Sequence, residues 1–193
     1  MSQSHLSPTE VTRRLPAAGQ ITDKDLRDQT IAVSAEAPTY FCEVPASTSG
    51  YHPPLCRKRH SLWIHTLMVA TAVERLVDSY TGRYDVDANR ARAAALLHDQ
   101  RKNSPPDAPS GTSVSDHDVQ MATVFEERDL PAPVVNAVET HMGPWYDGPE
   151  PKTPLAELVH NADMLASTGN ATLAIPSPIP EELQKYDLSG ADF

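Results

Sequence analysis

Between residues 60 and 80 the apolar side chains Leu62, Ile64, Leu67, Val69, Val73, Leu76 and Val77 return at steps of three and four, the spacing that lines one face of a helix. A second run carries Ala91, Ala94, Ala95, Leu96 and Leu97 up to His98; Asp87 stands where its carboxylate can cap the first turn, and the alanines suit close packing. Ser115 can open a third helix bearing Val119, Met121, Ala122, Val124 and Phe125. Pro131 starts a fourth through Val134, Val135 and Val138, with Gly143 placed to end it. The Thr153 and Pro154 pair caps and begins a fifth through Leu155, Leu158, Val159, Ala162 and Leu165. Weaker patterns predict a short helix opened by Thr22 and running to about Val33, another over residues 180–186, and a short extended piece over 40–44.

The 18 prolines fall mainly in clusters between these runs, where they interrupt regular structure. No series of alternating strands, internal repeat or glycine-rich phosphate loop is present, so the predicted fold class is all-α. A chain of 193 residues suits one domain and buries enough surface to hold together without a disulfide or structural metal, which makes any metal site a functional one. We expect a flexible segment over residues 1–20, one helical domain over 21–186 and a tail over 187–193.

Charge and composition narrow the partners. A formal charge of −10 repels polyanions, which argues against nucleic acid or an anionic membrane surface as the main partner and leaves small anions open if a local positive site exists. No apolar run approaches 18 residues, and residues 1–20 lack the apolar stretch of a secretory signal. With only Cys42 and Cys56, both expected as thiols, the chain reads as cytoplasmic.

Six polar residues stand on or beside the apolar helix faces: His65, His98, Asp99, His117, His141 and Asp163. Asp99 follows Leu96 and Leu97, and Asp163 lies between Ala162 and Met164, so each carboxylate leaves water among apolar neighbours and needs a cation or a dense set of donors. A lone helical His ordinarily packs or hydrogen-bonds, and a lone Asp ordinarily caps or pairs. The adjacent His98 and Asp99, with imidazoles and carboxylates recurring on successive helices, favour a shared divalent metal instead. His160, three residues before Asp163, can support that site or simply pack. Cys42, His52, Cys56 and His60 offer an alternative zinc cluster, but their spacing matches no paired-cysteine pattern.

The ordered set resembles the HD-domain superfamily of metal-dependent phosphohydrolases: a His on one helix (His65 in HTLMV), a His-Asp pair on the next (His98 and Asp99 in LLHDQRK), and a distant Asp on a later helix (Asp163 in NADMLAS). Lys102 stands where a lysine often follows the pair, and His117 and His141 resemble the extra histidines of two-metal members. The stretch VPASTSGYHPP followed by LWIHT is similar to the loop before the first histidine in HD proteins of phages and their hosts. It departs in having His60 and Ser61 where paired glycines are usual, and in lacking a lysine between Gly50 and Tyr51.

The resemblance implies an HD-type helical bundle holding one or two divalent ions. His65, His98, Asp99 and Asp163 would hold the first, and Asp99 would bridge to a second held by His117 and His141. Asp99 and Lys102 would be catalytic, with Arg101 adding positive charge, although a lysine near a helix end is ordinarily a solvated charge. Mixed imidazole and carboxylate ligands suit Mn, Fe, Co, Ni or Zn better than Mg. In the loop over residues 45–54, Ser47, Thr48 and Ser49 offer hydroxyl donors for phosphate oxygens, and Tyr51 with His52 an aromatic surface for a base or sugar; such residues also favour ordinary turns.

The expected activity is hydrolysis of a phosphoester in a nucleotide or another small phosphorylated metabolite. Because one fold hosts several activities, two other readings stand beside it: a non-catalytic module that binds nucleotide or a partner, and a metal-dependent nuclease. The nuclease needs a basic groove, for which the sequence offers only Arg57, Lys58 and Arg59.

Overall fold

The computed structural model describes residues 6–47, 54–102, 117–146, 148–168, 174–176 and 178–186. Its helices are α1 (Pro8–Arg14), α2 (Lys24–Ala35), α3 (Ser61–Thr81), α4 (Ala88–Leu97), α5 (His117–Glu126), α6 (Ala132–Glu139) and α7 (Pro154–Ala166), joined by short 3-10 turns. No strand occurs among the described residues, so the architecture is all-α. No helix among them is long and apolar enough to cross a membrane.

The centre of the bundle is α4, which packs against α2, α3, α6 and α7. Ala91, Ala93, Ala94, Ala95, Leu96 and Leu97 have no exposed surface, and the small side chains let four neighbours close on one helix. Its start is set by Asp87, whose carboxylate accepts from the Asn89 and Arg90 amides, as the sequence pattern predicts. α7 likewise starts where expected, with Thr153 accepting from the Ala156 amide. α3 is more deeply covered than a one-faced helix: residues 61–70 are all buried, because α4, α7 and the 3-10 turns at Thr39–Cys42 and Pro54–Arg57 enclose its first half.

Several expectations change. Residues 8–20 lie within the stretch expected to be flexible, yet they form α1 and a 3-10 turn that bury Val11, Leu15 and Ala18. Ser7 and Glu10 cap α1 reciprocally, and the Trp63 indole N–H donates to the Arg14 carbonyl at its other end, 2.8 Å away. α2 is capped by Asp23 rather than Thr22; the Thr22 amide and hydroxyl instead donate to Asn89 Oδ1 at 2.8 and 3.1 Å, tying this turn to α4. Residues 40–44 are not extended. The Pro38 carbonyl accepts from the Phe41 amide, and the resulting 3-10 turn buries both Phe41 and Cys42, which an extended chain would point to opposite faces. α6 stops at Glu139 with Thr140 as its cap, three residues before Gly143, which opens the next turn. Residues 180–186 hold only the single turn Glu181–Leu183. Ser115, expected to open α5, and the tail over 187–193 lie outside the described residues.

Candidate metal centre

Five elements deliver the six polar residues to one place. His65 comes from the second turn of α3, and Asp163 from the last turns of α7. His98 caps the end of α4 with Asp99 next in line, His117 belongs to α5, and His141 lies in the turn just past α6. All six are buried, none more than 3 % exposed.

The two oxygens of Asp99 face different partners. Oδ2 lies 3.6 Å from His65 Nε2, 3.5 Å from His98 Nε2 and 2.7 Å from Lys102 Nζ. Oδ1 lies 2.9 Å from His117 Nε2 and 3.4 Å from His141 Nε2. Asp163 Oδ1 is 2.9 Å from His65 Nε2, on the Oδ2 side. The rings meet edge to face in a chain, His65 to His98 to His141 to His117, with centroids 5.0 to 5.5 Å apart.

Backbone carbonyls set the direction of two of these rings. His98 Nδ1 is 2.8 Å from the Ala95 carbonyl and His141 Nδ1 is 2.6 Å from that of Val138, so each Nδ1–H donates outward and each Nε2 carries its lone pair inward. Both inward nitrogens are buried without a hydrogen bond. Leaving such atoms unsatisfied is costly, and a cation shared with the adjacent carboxylates satisfies them. Two ligand sets have donor atoms within 4.8 Å of one another: His65, His98 and Asp163, and His98, Asp99 and His141. The donor set therefore fits divalent metal.

Electrostatics keep both carboxylates ionised. Burial opposes the Asp99 charge, but the Lys102 ammonium and the imidazoles of His98, His117 and His141 outweigh it and hold the carboxyl well below the usual carboxylate range. Burial likewise opposes the Asp163 charge, and the adjacent His65 imidazole, with His98 and His141, holds that carboxyl low as well. Lys102 is 6 % exposed, so the structure departs from the solvated lysine ordinary at a helix end. Arg101 is half-buried.

Among the loop residues, Ser47 is buried and its amide donates to the Cys56 carbonyl, while Thr48, Ser49, Tyr51 and His52 lie outside the described residues. The unusual His60 and Ser61 are accommodated in distinct ways. His60 takes the left-handed conformation, φ 70°, that a glycine adopts without strain, and its Nδ1 contacts the Cys42 carbonyl. The Ser61 hydroxyl donates to the Cys56 carbonyl at 2.6 Å and accepts from the Ala46 amide at 2.9 Å, joining both sides of the loop. This arrangement spends His60 on backbone, and no metal-ligating group among the described residues includes Cys42, Cys56 or His60, so the zinc alternative has no support there.

Cys56 and Gly143 were not assigned to the site from sequence, whereas His160 was named there as able to support it. Cys56 is fully buried; burial, with Asp163 adding and Lys102 opposing, pushes its thiol up to about 12, which places it within electrostatic reach of the centre. His160 contacts the His141 carbonyl through Nδ1 at 2.6 Å, and its ring lies against Gly143. The three-residue step from His160 to Asp163 pointed to His160, but the long-range contacts of Cys56 and Gly143 left no local signal.

The HD domain family matches residues 62–168, more than half of the chain and the whole span from His65 to Asp163. The chain belongs to this family of metal-dependent phosphohydrolases. No match to the chain is found among curated proteins or among solved structures.

Proposed function

We propose that the protein hydrolyses a phosphoester in a nucleotide or another small phosphorylated metabolite, using one or two divalent ions. The observation that supports this best is Asp99, buried between two pairs of histidines with one oxygen toward each. His65, His98, Asp99 and Asp163 would hold one ion, and Asp99, His117 and His141 a second. Divalent metal bound there supplies Lewis-acid polarisation of a phosphoryl oxygen and a water acidified toward neutral pH.

The chain's own groups do the rest. The carbonyls of Ala95 and Val138 aim two imidazoles, so their lone pairs face the centre before any ligand arrives. Lys102 brings a positive charge within 2.7 Å of Asp99, where it can meet phosphoryl oxygens in a site of low dielectric. Asp99 and Asp163 against Lys102 leave one net negative charge; a single divalent ion reverses its sign, and the surplus attracts an anionic substrate. Ser47, with Ser49, Tyr51 and His52, would contact that substrate, consistent with the similarity of their loop to phage-type HD proteins. Two buried thiols accord with a cytoplasmic setting.

The nuclease reading has little to draw on, since Arg57, Lys58 and Arg59 are exposed on one turn and Arg59 already pairs with Glu43 at 3.0 Å. The test is phosphate or nucleoside release from mononucleotides, cyclic nucleotides and single-stranded oligonucleotides with Mn, Mg, Co, Ni or Fe. Metal-dependent turnover of mononucleotides, lost in Asp99→Ala, is the expected result. Nucleotide binding without turnover under any metal would make the protein a binding module, and faster oligonucleotide cleavage would make it a nuclease.

A further inference from the structure

His141 is mounted outside any helix. It sits beyond the last residue of α6, on a turn that continues to Gly143, and no helical ladder runs on past it. Its imidazole direction depends on the Val138 carbonyl, but the position of the turn itself depends on something outside α6. That contact comes from α7. His160 Nδ1 lies 2.6 Å from the His141 carbonyl, an N–H donor closing on a backbone acceptor.

The other half of the contact is steric. Gly143 has φ +60°, and a Cβ there would stand 3.0 Å from His160 Cε1 and 3.3 Å from its Nδ1. The imidazole therefore occupies the space a side chain at 143 would take, and glycine leaves that space open while adopting the left-handed conformation without strain. His160 is also three residues before Asp163 on the same helix face. One helix thus carries a ligand candidate for one side of Asp99 and the brace for a ligand candidate on the other.

We propose that His160 is a positioning residue that sets the affinity of the His117 and His141 side for its ion without touching that ion. The inference rests on the two-position reading given above. It predicts a selective effect: a lost brace displaces His141, while His65 and Asp163, held in the interiors of α3 and α7, stay where they are. Groups that orient metal ligands typically carry a 10–100-fold share of affinity, so a loss of about tenfold is expected at one position only.

Metal-stripped full-length protein titrated with Mn2+ by calorimetry tests this, with thermal melting of the metal-free form beside it. His160→Leu keeps bulk and removes the donor; the second binding event should weaken about tenfold with the first unchanged. His160→Asn places an amide N–H at the position of Nδ1 and should restore most of the loss. Gly143→Ala presses on the same contact from the other side and should reproduce it, which keeps the idea open to refutation should His160→Leu fail to fold. Two events of wild-type strength in His160→Leu, or in a folded Gly143→Ala, would overturn this inference alone. Equal weakening of both events, or no recovery in His160→Asn, would overturn it in favour of a general structural role. A single event in the wild type, untouched by His141→Ala, would overturn both this inference and the two-position reading beneath it.

Discussion

Each oxygen of Asp99 faces a pair of histidines, with Lys102 and Asp163 added on the Oδ2 side, and the two pairs are mounted differently. On the Oδ2 side, His65 and Asp163 sit within helices, where the backbone ladder and close packing against α4 fix them, and His98 caps the end of α4 itself. On the Oδ1 side, His141 lies past the end of its own helix, α6. Helix ends fray and lack a full set of backbone partners, so their side chains are placed by contacts from elsewhere. The difference teaches that candidate ligands around one carboxylate can be mounted unequally, and that the side held outside a helix is the one to examine for supporting contacts.

The largest effect should come from removing what the sides share. Asp99→Ala should cut Mn2+ affinity at both positions by more than about 100-fold, beyond the usual cost of disturbing a supporting group, and elemental analysis of the purified variant reads this directly. Retention of full metal content would end the comparison, since neither side would then depend on Asp99. A smaller effect separates the sides: His117→Ala should lose one ion per chain and keep the other, whereas His65→Ala should remove the more firmly mounted position. Equal losses in the two variants would mean the positions are not distinct.

Below these comes a change that leaves the metals alone. Asp87→Ala removes the cap of α4 ten residues and more from Asp99, and should cost the metal-free protein about 1 kcal/mol in urea denaturation while Mn2+ content at saturation stays at the wild-type level. The smallest response is expected from Cys56. With its thiol pushed up to about 12, only about one molecule in ten thousand carries the thiolate at pH 8, so iodoacetamide should leave it unmodified until the protein unfolds. Rapid labelling of folded protein would show that the Oδ2 side opens to solvent.

The same contrast explains what could be read from the sequence. α3, α4 and α7 are periodic, and Asp87 and Thr153 cap the last two, so their existence and the residues they bring together followed from spacing. The order of His65, His98, Asp99 and Asp163 carried the family as well. What escaped depends on contacts distant in the chain. α1 carries a capping box in Ser7 and Glu10, a local signal that Pro8 and the polar surroundings outweighed, yet its place in the core comes from Trp63, 49 residues away from Arg14. The 3-10 turn at Thr39–Cys42 was read as extended because Tyr40, Phe41 and Val44 favour strands, and burial of adjacent side chains decided otherwise. The brace from His160 spans α6 and α7, and a pattern confined to one helix does not contain it.

The alanine run of α4 bears on how this protein can vary over generations. Ala91, Ala93, Ala94 and Ala95 have no surface to spare, and helices approach from several directions, so even a valine has nowhere to go and should cost about 1–3 kcal/mol. A library randomised across residues 91–97 and selected for folded protein should return to small residues at these four sites. The same library at Thr9, Lys24 or Lys152, all exposed, should accept nearly everything. Substitution should therefore be least tolerated on the helix that delivers the His-Asp pair, and the pair shares the close packing of the alanines before it.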